Sequence, residues 1–165
     1  MKSLLLICLF TLLFSCTKPG IEIPKEHSFV SQIFKDKDYW NISSAKGFYH
    51  PKDSMLNIMI FGGSNERLDL GFKRDDKNMG EQKSYLARLI EANCEHCASI
   101  KNGYRLDTSK NNSFEFMSFT TSTTPNTIGI RFSLNLKKDS IYKTDKPLNI
   151  LYNGTLVVPI EFEKE

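Results

Sequence analysis

The chain has 165 residues, of which 22 are lysine or arginine and 19 are aspartate or glutamate, so its formal net charge is +3. The charges are interspersed and form no long basic block, which argues against a nucleic-acid partner. This length suffices for one domain with a sizeable core.

The N-terminal segment has the layout of a secretory signal. Lys2 supplies a positive charge, and residues 4–14 are an apolar stretch, too short for a bilayer, which takes about 20 apolar residues. The stretch runs into LFSC (13–16), which resembles a bacterial lipobox, although Phe14 departs from the commonest pattern. The resemblance implies removal of residues 1–15 and lipidation of Cys16. The alternative is an ordinary signal peptide with an incidental cysteine.

A lipidated Cys16 would attach the chain to a membrane without a transmembrane helix, since two acyl chains already give stable anchoring. Residues 16–27 then form a tether, because the stretch 17–27 is rich in proline, glycine and charge. Neither aspartate nor glutamate follows Cys16 directly, and no acidic cluster lies near it. We therefore expect an outer-membrane lipoprotein that faces the periplasm, with exposure at the cell surface left open.

The first predicted elements follow the tether. Residues 28–40 allow a short helix that turns into a first strand near residues 39–49, and HPKD (50–53) is typical of a turn. Residues 54–63 are apolar on both faces, which predicts a central strand. GGSN then turns the chain into RLDLGF (67–72), where apolar and polar residues alternate.

The segment EQKSYLARLIEA (81–92) is undecided between a helix and a strand. Its residues favour a helix, and Leu86, Leu89 and Ile90 recur at helical spacing. The strands predicted on either side favour a strand, with Tyr85 and Leu89 on one face.

The C-terminal half alternates more clearly. SFEFMSFT (113–120) and IGIRFSLNLK (128–137) are predicted strands, the second with an apolar residue at every other position. Asn153-Gly154 joins two alternating runs, which is the strongest short hairpin signal. Pro159 lacks an amide donor and points to an edge or a bulge in the last strand.

Together these elements predict one all-β domain at residues 28–165. We expect an antiparallel sheet arrangement, sandwich-like or barrel-like, with room for one short helix.

NCEHCASI (93–100) holds the two cysteines that remain after Cys8 is removed and Cys16 is lipidated. In an oxidising periplasm Cys94 and Cys97 are expected to form a disulfide. Residues three apart in a strand are separated by about 10 Å, too far for a disulfide, so pairing requires a turn or a helix end here. So small a loop contributes at most about 2 kcal/mol.

Two other interpretations of this motif stay open. A thiol-disulfide oxidoreductase would use the pair as its redox centre, with His96 stabilising a thiolate, although the strand–helix context of such catalysts is missing. A metal site would need more ligands than Cys94, His96 and Cys97 supply. We predict no metal and no cofactor.

Other candidates for chemistry are weaker. RDDKN (74–78) lacks the residue order of a calcium loop, and no serine lies in G-x-S-x-G. Trp40 is expected in the core, with a partner-facing position at the start of a strand as the alternative. No catalytic constellation is recognisable.

The layout resembles small lipoproteins of unknown function from Bacteroidota. The shared features are a lipobox with a tether, an aromatic-rich first strand (YWNISSAKGFY, 39–49), an L-x-I-x-I-type strand (MLNIMIFG, 55–62), a G-x-F-x-F-like strand (IGIRFSLNL, 128–136) and an NG hairpin (LYNGTLVVPI, 151–160). The chain departs from the pattern at Ile130-Arg131, where a small residue is usual, and in its CEHC insertion. The family has no established activity, so the resemblance implies no catalytic residues.

Proteins of the same bacterial group are similar in using an O-glycosylation signal of Asp, then Ser or Thr, then a small or aliphatic residue. DSM (53–55) and DSI (139–141) fit this signal. The resemblance makes Ser54 and Ser140 candidate modification sites.

The expected function is that of a lipid-anchored, non-catalytic envelope domain with a protein or glycan partner. The alternative is a periplasmic thiol-disulfide oxidoreductase that uses Cys94 and Cys97. A third hypothesis is a binder of a small apolar ligand inside a barrel.

Overall fold

The computed structural model describes residues 30–63, 65–73, 84–94, 99–121 and 124–162. The predicted signal segment, Cys16 and the tether lie outside these residues. The strands are β1 (Gln32–Lys35), β2 (Asp38–Trp40), β3 (Ile42–His50), β4 (Met55–Gly62), β5 (Glu66–Lys73), β6 (Ser84–Ala92), β7 (Ile100–Leu106), β8 (Ser113–Thr121), β9 (Thr124–Lys138) and β10 (Asn149–Phe162). A 3-10 turn at Pro51–Asp53 joins β3 to β4. Within the described ranges, no helix has the length and apolar character needed to span a membrane.

The strands form a single mixed sheet in the order β2-β1-β10-β3-β4-β5-β6-β7-β9-β8. β10 also pairs with β9, so the sheet curves back on itself and is ring-like without being a barrel. The strand pairs are antiparallel apart from β10 with β3, which run parallel over three residue pairs. The all-β prediction is confirmed. The sheet is mixed, because the parallel pair β3–β10 is an exception to the expected antiparallel arrangement.

The ring is incomplete on one side of β9. β10 occupies one edge of β9, while β7 and then β8 share its other edge. β6 pairs with β7 only from Arg88 onward, so no described strand pairs with residues 84–87 on that side. The sheet therefore splits between the start of β6 and β8.

Alternate residues of the long strands fill the interior of the ring. Ile130, Phe132, Leu134 and Leu136 of β9 are all buried, which confirms the strand predicted at residues 128–137. β4, β5, β6, β7 and β10 contribute buried residues to the same core. Each fully buried aliphatic side chain stabilises the fold by about 1.5–3 kcal/mol.

The undecided segment 81–92 forms a strand from Ser84 onward. It pairs with β5 over eight positions and with β7 over its second half. Leu89 is buried while Leu86 is 70% exposed, as alternating faces require. Pairing on both sides outweighs the helical propensity of the segment.

The short helix expected within residues 28–40 is wrong. This stretch forms β1 and β2, joined by a tight turn in which Asp36 has a positive φ of 57°. β1 pairs with β10, and the Asp36 amide donates to the Leu151 carbonyl at 2.6 Å while the Asp36 carboxylate accepts from the Leu151 amide at 2.9 Å. A partner from the far end of the chain thus decides the local structure.

The hairpin expected at Asn153-Gly154 is also wrong. β10 continues straight through both residues, which pair with Ser133 and Phe132 of β9. Gly154 has a φ of +153°, and a Cβ here would lie 2.1 Å from the Gln32 carbonyl oxygen. The position therefore requires glycine because the backbone of β1 lies so close to it, and not because the chain turns here.

Pro159 does not mark an edge strand, because β10 lies inside the sheet. On the side away from β9, β1 pairs with β10 up to Thr155, and β3 pairs from Ile160. Pro159 falls between these two partners, where its missing amide interrupts neither ladder.

The chain reverses direction around the C-x-x-C motif. β6 ends at Ala92 and β7 begins at Ile100. The Asn93 amide donates to the Ser99 carbonyl at 3.2 Å, and the Asn93 side chain donates to the Ser99 hydroxyl at 2.8 Å. Residues 95–98 lie outside the described residues, so the turn predicted at Cys94–Cys97 stays a prediction.

Candidate functional site

A buried carboxylate, Glu66, opens β5 at the end of the ring where β4 turns into β5. Its amide donates to the Gly63 carbonyl at 3.4 Å, which closes the turn, and Asn65 before it adopts a positive φ of 61°. The side chain points inward and is only 7% exposed. A carboxylate this deep in the fold needs donors on both oxygens.

Three side chains supply those donors from three different strands. The Lys35 ammonium donates to Oε1 of Glu66, the Trp40 indole donates to Oε2 at 2.8 Å, and the Tyr152 hydroxyl donates to Oε2 at 3.3 Å. The rings of Trp40 and Tyr152 meet edge to face with centroids 5.0 Å apart. Trp40 is therefore a core residue, as expected, and β1, β2 and β10 are joined to β5.

A second buried carboxylate, Glu91, lies directly opposite Glu66 on β6. It is 8% exposed and accepts a hydrogen bond at 2.7 Å from Asn102, which is fully buried. Its other oxygen lies 3.6 Å from the Lys146 ammonium and 3.8 Å from the Lys101 ammonium. Cross-strand partners have Cβ atoms about 4.5–5.5 Å apart, so the two carboxylates would repel each other without these cations.

The loop between β9 and β10 covers this cluster. Thr144 donates its hydroxyl to the Asn102 side chain at 2.6 Å, and Tyr104 donates its hydroxyl to the Pro147 carbonyl at 3.1 Å. Lys138 holds the same loop by donating to the carbonyls of Thr144 and Lys146. Glu66 with its donors and Glu91 with its donors and this loop are two hydrogen-bonded groups that meet at the cross-strand pair Glu66–Glu91, and we call them together the Glu66–Glu91 cluster.

The network also shifts the pKa of its tyrosines. Burial, together with the charge and hydrogen bond of Glu66, raises the pKa of Tyr152 well above its usual range. Burial, together with the charges of Glu91 and Glu66, raises the pKa of Tyr104. Both phenols are protonated at neutral pH, as an ordinary tyrosine is, and the raised pKa values keep them as hydrogen-bond donors into more alkaline solution.

The sequence interpretation missed the Glu66–Glu91 cluster, although one signal was present. Glu91 falls at the two-residue spacing of Tyr85, Ala87 and Leu89, so a strand at 84–92 places a carboxylate on the apolar face. A charge on a buried face requires partners. The partners of the two carboxylates come from β1, β2 and β10 for Glu66, and from β7 and the loop after β9 for Glu91, which no local pattern identifies.

Of the predicted site residues, the structure describes Ser54, Cys94 and Ser140, which lie in three different connections between strands. Cys16 and Cys97 lie outside the described residues, while Cys94 is exposed in the turn after β6. The Cys94–Cys97 disulfide therefore stays a prediction. In the part of the chain that the structure describes, no group of three or more His, Cys, Asp or Glu side chains is placed to hold a metal ion.

The two candidate modification sites lie in turns, as expected. Ser54 is half-buried and has a positive φ of 52° at the end of the 3-10 turn. Ser140 is exposed in the loop after β9, beside Asp139, which forms an ion pair with Arg105 at 2.7 Å. Ser140 is the more accessible of the two, and modification of either serine stays a prediction.

A second surface of interest lies where the sheet splits. Four aromatic side chains fill the split, and we call them the aromatic seam: Phe72, Tyr85, Phe114 and Phe116. The ring of Phe114 lies 4.1 Å from that of Phe72 and 6.4 Å from that of Tyr85. Phe72 is buried, whereas the other three are half-buried, so the seam reaches the surface between β6 and β8.

Comparisons of the chain with protein-family models, with curated proteins and with solved structures find no match. The resemblance to Bacteroidota lipoproteins therefore stays a prediction.

Proposed function

We propose that the chain is a lipid-anchored domain of the bacterial cell envelope that binds a protein or glycan partner without catalysing a reaction. The observation that carries the anchor is LFSC (13–16), which places Cys16 directly after an apolar stretch too short to span a bilayer. Its expected place is the outer membrane, on the periplasmic side.

The contacts of the buried carboxylates support a structural role over a catalytic one. Both oxygens of Glu66 already accept hydrogen bonds, which Lys35, Trp40 and Tyr152 donate. One oxygen of Glu91 accepts from Asn102, and the other faces two ammonium groups. A general acid or base must instead exchange its proton with a substrate within hydrogen-bond reach.

No observation favours the oxidoreductase alternative. Catalytic C-x-x-C pairs commonly owe their low thiol pKa to a helix N-terminus or to nearby cations. Here the motif separates two antiparallel strands, β6 and β7, of one hairpin.

The anchor is tested by expressing the full chain with Cys16→Ala in a Gram-negative host fed with labelled palmitate. Cys8→Ala is the matched control, because Cys8 lies inside the predicted signal segment. We expect labelled protein with Cys16 as its first residue from the wild type and from Cys8→Ala, and no label on Cys16→Ala. Equal labelling of all three proteins, or a mature N-terminus elsewhere, would overturn the anchor.

The binding role is tested separately with the anchored wild-type chain. Chemical cross-linking in intact cells of the native host should join it to a defined envelope protein or glycan. Recovery of nothing above the level of a control lipoprotein of similar size would contradict the binding role.

A further inference from the structure

We propose that residues 139–148, the loop between β9 and β10, are a strap that opens as a unit while the ring stays folded, and that the charge of Glu91 holds this strap closed. The strap needs neither the lipid anchor nor a partner, so this conformational device is separate from the proposed binding function.

The strap gains little from hydrophobic burial. None of its side chains, all of which the structure describes, is buried. Its aliphatic residues Ile141 and Leu148 are 71% and 67% exposed. At its base the Lys138 amide donates to the Leu148 carbonyl at 2.8 Å, so the two ends of the strap meet where β9 and β10 pair. Because segments with few buried apolar contacts open most easily, the attachment of the strap depends on its other contacts.

The first part of the strap contacts the backbone of β7. The Asp139 amide donates to the Gly103 carbonyl at 2.8 Å, and the Asp139 carboxylate forms its ion pair with Arg105. The Tyr142 ring lies against Gly103, where a Cβ would come within 2.7 Å of this ring. These contacts place the strap on β7 without burying any of its side chains.

The second part of the strap is joined to Glu91 through Asn102. Thr144 donates its hydroxyl to the side-chain oxygen of Asn102 at 2.6 Å, and the side-chain amide of Asn102 donates to Glu91 at 2.7 Å. Tyr104 donates its hydroxyl to the Pro147 carbonyl at 3.1 Å. Asn102 and Tyr104 are buried, although both contact a loop that is itself exposed. The closed strap therefore shields polar groups from water.

The strap also meets Glu91 directly through Lys146. The Lys146 ammonium lies 3.6 Å from one oxygen of Glu91, and the Lys101 ammonium of β7 lies 3.8 Å from the same oxygen. Both distances exceed that of a hydrogen bond, so charge attraction draws the two lysines to this oxygen. Glu66, on the opposite strand, already accepts hydrogen bonds on both of its oxygens. Glu91 is therefore the carboxylate with which Lys146 pairs.

The charge of Glu91 strengthens both connections to the strap. A carboxylate accepts a stronger hydrogen bond from Asn102 than a neutral group does, and it attracts Lys146. Opening of the strap breaks no strand pair, because β9 ends at Lys138 and β10 begins at Asn149. The ring can therefore stay folded while Asn102 and Glu91 become accessible to water.

The proposal is tested by limited proteolysis of the folded full chain with trypsin. The bond after Lys143 lies in the strap, and the bond after Lys110, in the exposed loop between β7 and β8, is the internal control. Cleavage of a folded protein follows the population of the locally open state. We expect Glu91→Gln to speed cleavage after Lys143 about fivefold, the equivalent of about 1 kcal/mol, and to leave cleavage after Lys110 unchanged. Mass spectrometry of the fragments measures both rates.

Glu115→Gln is the matched control variant. Glu115 also pairs with a cation, Arg131 at 3.2 Å, but it lies on β8, so its substitution should change neither rate. Equal acceleration of both bonds by Glu91→Gln would indicate a general loss of stability and overturn the proposal. No acceleration of either bond would overturn it as well.

Two lysine substitutions keep the proposal falsifiable if Glu91→Gln does not fold. Lys146→Met removes the ammonium that the strap brings to Glu91, whereas Lys101→Met removes the ammonium that belongs to β7. Both lysine side chains are about half exposed, so both variants should fold. We expect faster cleavage after Lys143 in Lys146→Met and no change in Lys101→Met. Equal rates in the two variants would contradict a strap held through Lys146.

Salt supplies a readout that a contact without charge would not change. The screening length falls from about 10 Å at 0.1 M salt to about 3 Å at 1 M. Relative to cleavage after Lys110, cleavage after Lys143 should therefore rise over this range in the wild type and stay constant in Glu91→Gln. A rise that Glu91→Gln retains would assign the salt-sensitive contact to Asp139 and Arg105 and overturn the role of Glu91. A wild type that does not respond to salt would overturn it too.

Discussion

At the scale of single residues, Glu66 does the most to join distant parts of the chain. Its carboxylate is contacted by Lys35 from β1, Trp40 from β2 and Tyr152 from β10. Hydrogen bonds to a charged group contribute about 1.5–3 kcal/mol each, and a buried charge without them is strongly unfavourable. The stability of this corner therefore depends on the charge of Glu66 as well as on its shape.

Glu66→Gln should lower the free energy of unfolding by about 2 kcal/mol, because the amide leaves Lys35 without its counter-charge. Urea denaturation followed by circular dichroism measures the change. Glu161→Gln is the control, since Glu161 is exposed on β10 and should change stability by less than about 0.5 kcal/mol. Equal effects of the two substitutions would contradict the assigned role of Glu66.

The raised pKa of Tyr152 predicts that the free energy of unfolding falls in alkaline solution. Above about pH 10 a tyrosine in the unfolded chain loses its proton, whereas the raised pKa of Tyr152 keeps it protonated in the fold. The folded state then holds more protons, so the free energy of unfolding falls as pH rises. Tyr152→Phe should reduce that fall by about 1.4 kcal/mol per pH unit. Urea midpoints between pH 9 and about 11 measure it, and identical slopes would contradict the assignment.

At the scale of elements, β10 shows why the hairpin predicted at Asn153-Gly154 is wrong. Asn153-Gly154 has the composition of a hairpin turn, yet the strand runs through it without a register shift against β9. Gly154 allows β1 to lie close beside β10, since a Cβ at this position would clash with the backbone of Gln32 and Ile33. The same dipeptide thus serves two different structures, and the neighbouring strand decides between them.

Gly154→Ala should destabilise the domain by about 3 kcal/mol, because the methyl group clashes with backbone and the positive φ disfavours alanine. Gly63→Ala is the matched control, as a Cβ at Gly63 meets no atom within 4 Å. Thermal unfolding of both variants measures the difference. A tolerated Gly154→Ala would show that β1 does not press against β10.

At the scale of the whole molecule, the fold closes on itself through strands from its two termini. β10 pairs with β1, β3 and β9, so the last strand contacts the first, an early one and its predecessor. Parallel pairing of β3 with β10 links the N-terminal strands to the C-terminal ones. Among the residues that the structure describes, the buried side chains of these strands form one core cluster.

The ring should therefore unfold in one cooperative transition. Trp40, the single tryptophan of the chain, reports on the β1–β2 corner, while circular dichroism reports on the whole sheet. We expect both signals to share one midpoint in urea. Separate midpoints would show that the β1–β2 corner opens independently of the ring.

The sequence predicted the all-β class, the strands at 113–120 and 128–137 and the burial of Trp40. It misassigned residues 28–40 and Asn153-Gly154, and it left 81–92 undecided. In two of these cases the deciding contact comes from a strand far away in the chain: β10 for residues 28–40 and β1 for Gly154. For β6 the deciding contacts come from its chain neighbours, β5 and β7. Single-sequence patterns carry no information about such partners.

By itself, the sequence determined which segments alternate and are therefore half-buried strands, because the two-residue period of a strand is a local property. It also supplied the lipobox-like segment on which the proposed anchor depends. Only the tertiary structure decided how the strands pair, where the sheet splits and which donors surround Glu66 and Glu91. These features depend on contacts between segments remote in sequence, which form when β10 closes the ring.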